Sequence, residues 1–142
     1  MESSPSRITE RVGIILVDHG SKLEAANKML EGVARGFQET SAYAIVEPAH
    51  MELAEPTIEQ AMARCVERGA QRIVVQLFFL SPGRHSMRDI PRMTREAAAH
   101  YPGIPVHISD PLGIDPRLNA ILQSRIEEAL KFDVVAANDE ET

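Results

Sequence analysis

Tryptophan is absent from this 142-residue chain, cysteine occurs once, and only two tyrosines and four phenylalanines are present. Basic residues are also in deficit, with 15 Lys and Arg against 21 Asp and Glu, for a net charge of −6. Phosphate backbones are held by an excess of Lys and Arg, and bases are stacked on aromatic rings, so no nucleic-acid partner is expected. No apolar run approaches the roughly 20 residues that span a bilayer. Residues 1–10 lack the apolar stretch of a secretory signal, so a cytoplasmic protein without a membrane partner is expected. The lone Cys65 forms no internal disulfide. Its spacing with Ile58, Met62 and Val66 places it on the apolar face of a helix, as a core thiol suited to a reducing compartment. Four motifs are missing as well: G-x-G-x-x-G after a strand, the P-loop lysine signature, G-x-S-x-G and H-E-x-x-H. Nucleotide, acyl-transfer and zinc-protease readings therefore have no support.

What is present reads as one globular domain, with 44% hydrophobic and 25% charged residues. Apolar runs at 12–17, 42–48, 72–80 and 104–109 predict four strands. Between them, apolar residues recur at intervals of three and four. Leu23, Ala26, Leu30, Val33 and Phe37 predict a helix over 22–38, and Ile58, Met62, Cys65 and Val66 another that Gly69 ends. Ile90, Met93 and Ala97 predict a third, weakened at its start by Pro91. Leu118, Ile121, Leu122, Ile126 and Leu130 predict a last helix, apolar face inward, opening after Asp115-Pro116. Ser21 with Glu24, Thr57 with Gln60 and Ser86 with Asp89 carry the spacing of N-terminal capping signals. Alternating strands and helices imply right-handed crossovers. The expected fold is a single three-layer α/β domain over 11–132, a four-stranded parallel sheet of order 2-1-3-4 with helices on both faces. Polar tails are expected at 1–10 and 133–142.

In that order the first and third strands are neighbours at the topological switch point, where such sheets keep their ligands. Each is followed by a histidine turn, Asp18-His19-Gly20-Ser21 and Ser81-Pro82-Gly83-Arg84-His85-Ser86. His19 and His85 suit a divalent first-row metal such as Fe, Co, Ni or Zn, and equally suit proton transfer near neutrality. The plainer alternative is that each only hydrogen-bonds its own loop. Glu47, His50, Glu52 and Glu55 cluster at the end of the second strand, beside the first. Glu52 is the best placed of them to join a metal site or take up protons, a solvated loop carboxylate being the alternative. Glu55 reads as charge compensation at a helix terminus, and the role of His50 stays open. Arg84 lies beside His85, and Arg88, Arg92 and Arg95 share a helix face, either as a local cationic patch or as a solvated surface. His100 and His107 are expected to be structural.

The segments at 16–21, 46–56 and 78–91, above all the H-G-S turn together with G-x-H-x-x-x-D-I-P, resemble the short CbiX/SirB group of class II tetrapyrrole chelatases. The likeness runs from about Gly13 to Leu130. It implies a lyase that inserts a divalent metal into sirohydrochlorin, with His19 and His85 as the paired metal-site histidines and Glu52 as the acidic residue after the second strand. Catalysis would then rest on His19, His85 and Glu52, and the polyanionic substrate on Arg84, Arg88 and Ser21, although capping remains the default role of Ser21. The wording around His19 and Glu52 is closest to sirohydrochlorin ferrochelatases, the plant type especially, which makes Fe²⁺ the leading metal and siroheme the product. Co²⁺ or Ni²⁺ on the same scaffold is the alternative, and a metal or tetrapyrrole carrier the non-enzyme alternative. Plant members hold an iron-sulfur cluster on a cysteine-rich C-terminal extension. No Cys follows Leu130 here, so no cluster and no tightly bound cofactor are expected. A plastid stroma is the alternative location if a transit segment has been removed. One small sheet offers little wall for a flat macrocycle, and larger relatives join two such halves, so a homodimer is expected.

Overall fold

The computed structural model describes residues 11–132, so both expected tails lie outside the described residues. Its elements run β1 (Val12–Asp18), α1 (Glu24–Thr40), β2 (Ile45–His50), α2 (Ile58–Glu67), β3 (Arg72–Leu77), α3 (Ser86–Ala98), β4 (Val106–Ile108) and α4 (Arg117–Ala129). The four strands pair in parallel in the order β2-β1-β3-β4, as the sequence predicts. No helix among the described residues is long and apolar enough to cross a membrane.

β1 is the centre of the molecule because both of its faces are covered. Ile15 and Val17 join the core formed with α2 and α3, whereas Ile14 and Leu16 join a second core beneath α1. This period-two division explains why the strand is apolar throughout. Gly13 permits the close approach of α2. A Cβ there would meet the Cβ atoms of Ala70 and Cys65 at 3.0 and 3.1 Å. Cys65 is buried, as expected, and burial, reinforced by the charge of Glu47, pushes its thiol up to about 12.

The capping box of α2 forms as the sequence predicts. Gln60 N–H donates to Thr57 Oγ1 at 3.1 Å, and Thr57 N–H donates to Gln60 Oε1 at 2.9 Å. Thr57→Ala is expected to lower unfolding stability by about 1 kcal/mol, measurable as a shift in the urea midpoint at constant slope.

Elsewhere the structure corrects the expectations. Ser21 does not cap α1. The N-cap is Leu23, and Ser21 Oγ instead accepts from Leu23 N–H at 2.9 Å in a tight turn. Ser86 is the first helical residue of α3 rather than its cap, because His85 already has helical angles, φ −70° and ψ −44°. β2 begins three residues later than expected and continues through Pro48 to His50. It is an edge strand bonded only to β1, so the missing N–H of Pro48 disrupts no second ladder. β3 stops at Leu77, where Phe78 N–H turns to the Val17 carbonyl at 2.7 Å, and β4 shrinks to three residues at the other edge.

The largest departure is α4. Its Ile121, Leu122, Ile126 and Leu130 face solvent, not the core. Periodicity reports that a helix has an apolar face, not which surface covers it.

Candidate functional site

The carboxyl ends of β1, β2 and β3 meet at one rim. β1 and β2 are in register so that Asp18 pairs with His50. The ladder continues past the strands, with Met51 N–H donating to the Asp18 carbonyl at 2.9 Å and Glu52 N–H to the His19 carbonyl at 3.2 Å. The structure thereby ties Glu52 to His19 through the backbone, although the two are 33 positions apart in the chain. Both side chains are exposed at the rim.

Gly20 makes this approach possible. Its φ is +91°, and a Cβ there would lie 1.8 Å from the Glu52 carbonyl oxygen and 3.3 Å from His50 Cβ. Beyond it, Ser21 and Asn27 close a reciprocal pair. Ser21 N–H donates to Asn27 Oδ1 at 3.0 Å, and Asn27 Nδ2 donates to the Ser21 carbonyl at 2.7 Å. The turn that carries His19 is thus fixed at both ends before α1 begins.

Below the rim lies a pair that sequence reasoning missed. His50 is buried and its Nδ1 stands 2.6 Å from Asp18 Oδ1. A carboxylate offers only acceptors, so Nδ1–H is the donor. Nε2 of His50 is buried with no protein partner. The Asp18–His50 bond joins the residue before His19 to the start of the loop that carries Glu52, and His50 N–H donates in turn to the Pro56 carbonyl at 2.9 Å. These contacts hold both ends of the 51–55 loop.

Phe79 is the second missed residue, having been read as strand. Its ring stacks on His19 with centroids 4.4 Å apart and planes 15° apart. The segment after β3 therefore walls the imidazole that follows β1. Residues after β4 pin it in place, with Leu112 N–H donating to the Phe79 carbonyl at 2.9 Å and Gly113 N–H to the Leu80 carbonyl at 2.8 Å.

His85 stands exposed at the N-cap of α3. Buried Ser86 anchors its turn, with the hydroxyl 3.2 Å from both the N–H and the carbonyl of Gly83. Arg84 is exposed and has no ion-pair partner among the described residues. Arg88 and Arg92 lie 3.7 and 3.6 Å from Asp89, and Arg92 also lies 3.5 Å from Glu96, so their charge is partly committed. Among the described residues no three His, Cys, Asp or Glu side chains form a metal-holding group. His19, His85 and Glu52 are exposed side chains that follow the ends of neighbouring strands and do not converge as a closed cage. His100 lies 3.7 Å from Glu59, and His107 is bonded to Arg72 at 2.9 Å, both away from this rim. A separate cleft lined by Arg35, Gln38, Glu47 and Arg64 follows the outer edge of β2 and holds no histidine.

Comparison with known proteins gives the arrangement a context. The CbiX family model matches residues 13–129. The chain is 50% identical over 118 residues to the chloroplastic sirohydrochlorin ferrochelatase of Arabidopsis thaliana, covering 83% of this chain and 52% of that protein. It is 34% identical to the sirohydrochlorin cobaltochelatase of Methanopyrus kandleri, covering 84% of this chain and 97% of that protein. The structure of SirB from Bacillus subtilis with Fe³⁺ superposes with a TM-score of 0.77 at 28% identity, covering 84% of this chain and 47% of that one. The chain thus spans about half the length of the plant relative and of SirB, and nearly the whole archaeal one.

Proposed function

Because the chain belongs to the CbiX family, we propose that it is a lyase-class chelatase that inserts Fe²⁺ into sirohydrochlorin to give siroheme. What carries this reading is the family match over residues 13–129 together with the 50% identity to the plant ferrochelatase, and the backbone tie of Glu52 to His19 supports it. Insertion exchanges the waters of one M²⁺ for four ring nitrogens and releases two pyrrole protons. It therefore needs weakly holding donors and nearby bases. In this reading His19 and His85 present the metal to one face of the macrocycle. The two pyrrole protons pass to Glu52 or to a histidine freed as the metal leaves, and from there to solvent. Arg84, free of carboxylate partners, meets the substrate's carboxylates, with Arg88 and the Ser21 turn as further contacts.

The metal is a substrate here, not a resident cofactor. The plant relative's activity favours iron, and the archaeal cobaltochelatase supports cobalt as the second reading. A second copy of the chain would supply the other wall for the ring. The reaction is placed in the cytoplasm, or in the plastid stroma by analogy with the chloroplastic relative.

The test is anaerobic absorbance spectroscopy of sirohydrochlorin with Fe²⁺, Co²⁺ or Ni²⁺ in turn, against a control without protein. Catalysed insertion with turnover, fastest with Fe²⁺, is expected. Stoichiometric binding at the uncatalysed rate would leave a carrier, and a clear preference for another metal would replace iron. Glu52→Gln is expected to slow insertion at least tenfold while leaving the thermal midpoint unchanged, since its side chain is exposed.

A further inference from the structure

Leu53 stands against two preferences of a folded chain. Its side chain is 58% exposed and belongs to neither core, whereas Met51, two residues earlier, packs on the core beneath α2. Its backbone is left-handed, with φ +71°, and it is the sole non-glycine residue so placed among the described residues. Glycine, asparagine and aspartate tolerate that conformation, and a bulky aliphatic residue does so only against strain. A turn whose one task was to join β2 to α2 through water would carry a small or polar residue here.

The surrounding bonds sustain the strain. Met51 and Glu52 N–H groups are bonded to the Asp18 and His19 carbonyls, His50 N–H closes the loop on the Pro56 carbonyl, and the Asp18–His50 side-chain bond lies at the loop's start. A strained residue held by so many contacts outside itself is the pattern found at ligand sites. The place agrees. Leu53 follows Glu52 directly, and the Glu52 carbonyl that joins them lies against Gly20 in the His19 turn. Leu23 after β1 and Leu80 after β3 are 66% and 55% exposed, so each strand that builds the rim is followed by a large apolar side chain left in water.

We propose that Leu53 is a contact for the conjugated plane of the tetrapyrrole, and that its left-handed backbone is kept because it stands the side chain out at the rim beside Glu52 and His19. The identity of the ring rests on the chelatase reading. Ligand sites combine a mostly apolar wall with a few placed polar groups. The histidines, Glu52 and Arg84 supply the polar groups, and Leu53 supplies wall. Folding and ring binding are therefore opposed at this one position.

Titration of sirohydrochlorin without metal, followed by its absorbance, tests the contact apart from insertion. Leu53→Ala is expected to weaken binding about tenfold, as for the loss of two buried methylenes, with the thermal midpoint unchanged. Leu53→Met, which restores an apolar side chain of similar volume, is expected to bind within about twofold of wild type. Leu53→Gly is expected to bind about tenfold more weakly while its midpoint rises by a few degrees, because glycine relieves the left-handed backbone. A merely structural residue would not lose affinity as it gained stability. Equal affinity of the wild type, Leu53→Ala and Leu53→Gly would overturn the proposal and leave the chelatase reading standing. A wild type that binds the ring but does not insert metal, with Leu53→Ala binding more weakly, would keep the contact and remove the chelatase reading. A wild type that does not bind the ring would overturn both.

Discussion

Alanine at His19 or at His85 is expected to lower the rate of metal insertion by about 10²–10⁴-fold while leaving the protein folded. The separation of the two effects follows from where the side chains sit. Both imidazoles are exposed, and neither belongs to a core cluster. His85 makes no side-chain capping bond to α3, so its loss should leave the thermal midpoint within a degree or two of wild type. His19→Ala removes the stack on Phe79, worth about 0.5–1.5 kcal/mol, and should lower the midpoint by a few degrees. Initial rates with Fe²⁺ and sirohydrochlorin, measured beside thermal unfolding of the same preparations, check both halves. A wild-type rate in either variant would remove that histidine from the proposed mechanism.

Gly20→Ala is expected to damage stability and activity together. The added Cβ falls 1.8 Å from a backbone carbonyl that cannot rotate aside, at a φ of +91° that L residues rarely adopt. The left-handed conformation alone costs about 1–2 kcal/mol. Relieving the clash must also move Glu52 away from His19 and loosen the bond between their backbones, adding about 1 kcal/mol. A total loss of about 2–3 kcal/mol is expected in urea unfolding, with insertion reduced at least tenfold even well below the midpoint. Gly32→Ala and Gly36→Ala serve as controls. Both lie within α1, where an added Cβ meets nothing within 4 Å, so each should be stabilising by about 0.5–1 kcal/mol and leave activity unchanged. Equal behaviour of Gly20→Ala and these controls would contradict the close approach of the two loops.

The contrast between the capping signals shows where sequence reading works. Thr57 and Gln60 satisfy each other within one turn, so the pattern is sufficient on its own. Ser21 and Ser86 show similar spacing, yet Ser21 belongs to a turn closed by Asn27, and Ser86 to one closed by Gly83. In both cases a competing local bond claims the residue before the helix can use it as a cap. Phe79 was hidden for a related reason. The apolar run 72–80 matches a strand throughout, and only the Phe78 bond to Val17 and the anchors from 112–113 turn its end toward His19.

The sequence by itself determined the succession of strands and helices, the doubly apolar β1, the strand order, and two histidine turns at neighbouring strand ends. The elements and turns follow from short-range periodicity, and the strand order, taken as the economical doubly wound packing with right-handed crossovers, is the one the structure shows. Tertiary structure alone decided the Asp18–His50 bond, the tie of Glu52 to His19, the stack of Phe79 on His19 and the exposure of the apolar face of α4. Each depends on register between segments distant in the chain, or on the presence or absence of a packing surface. Local periodicity encodes which faces are apolar and which turns are tight, whereas the distance between two side chains is set only when the strands that carry them are in register.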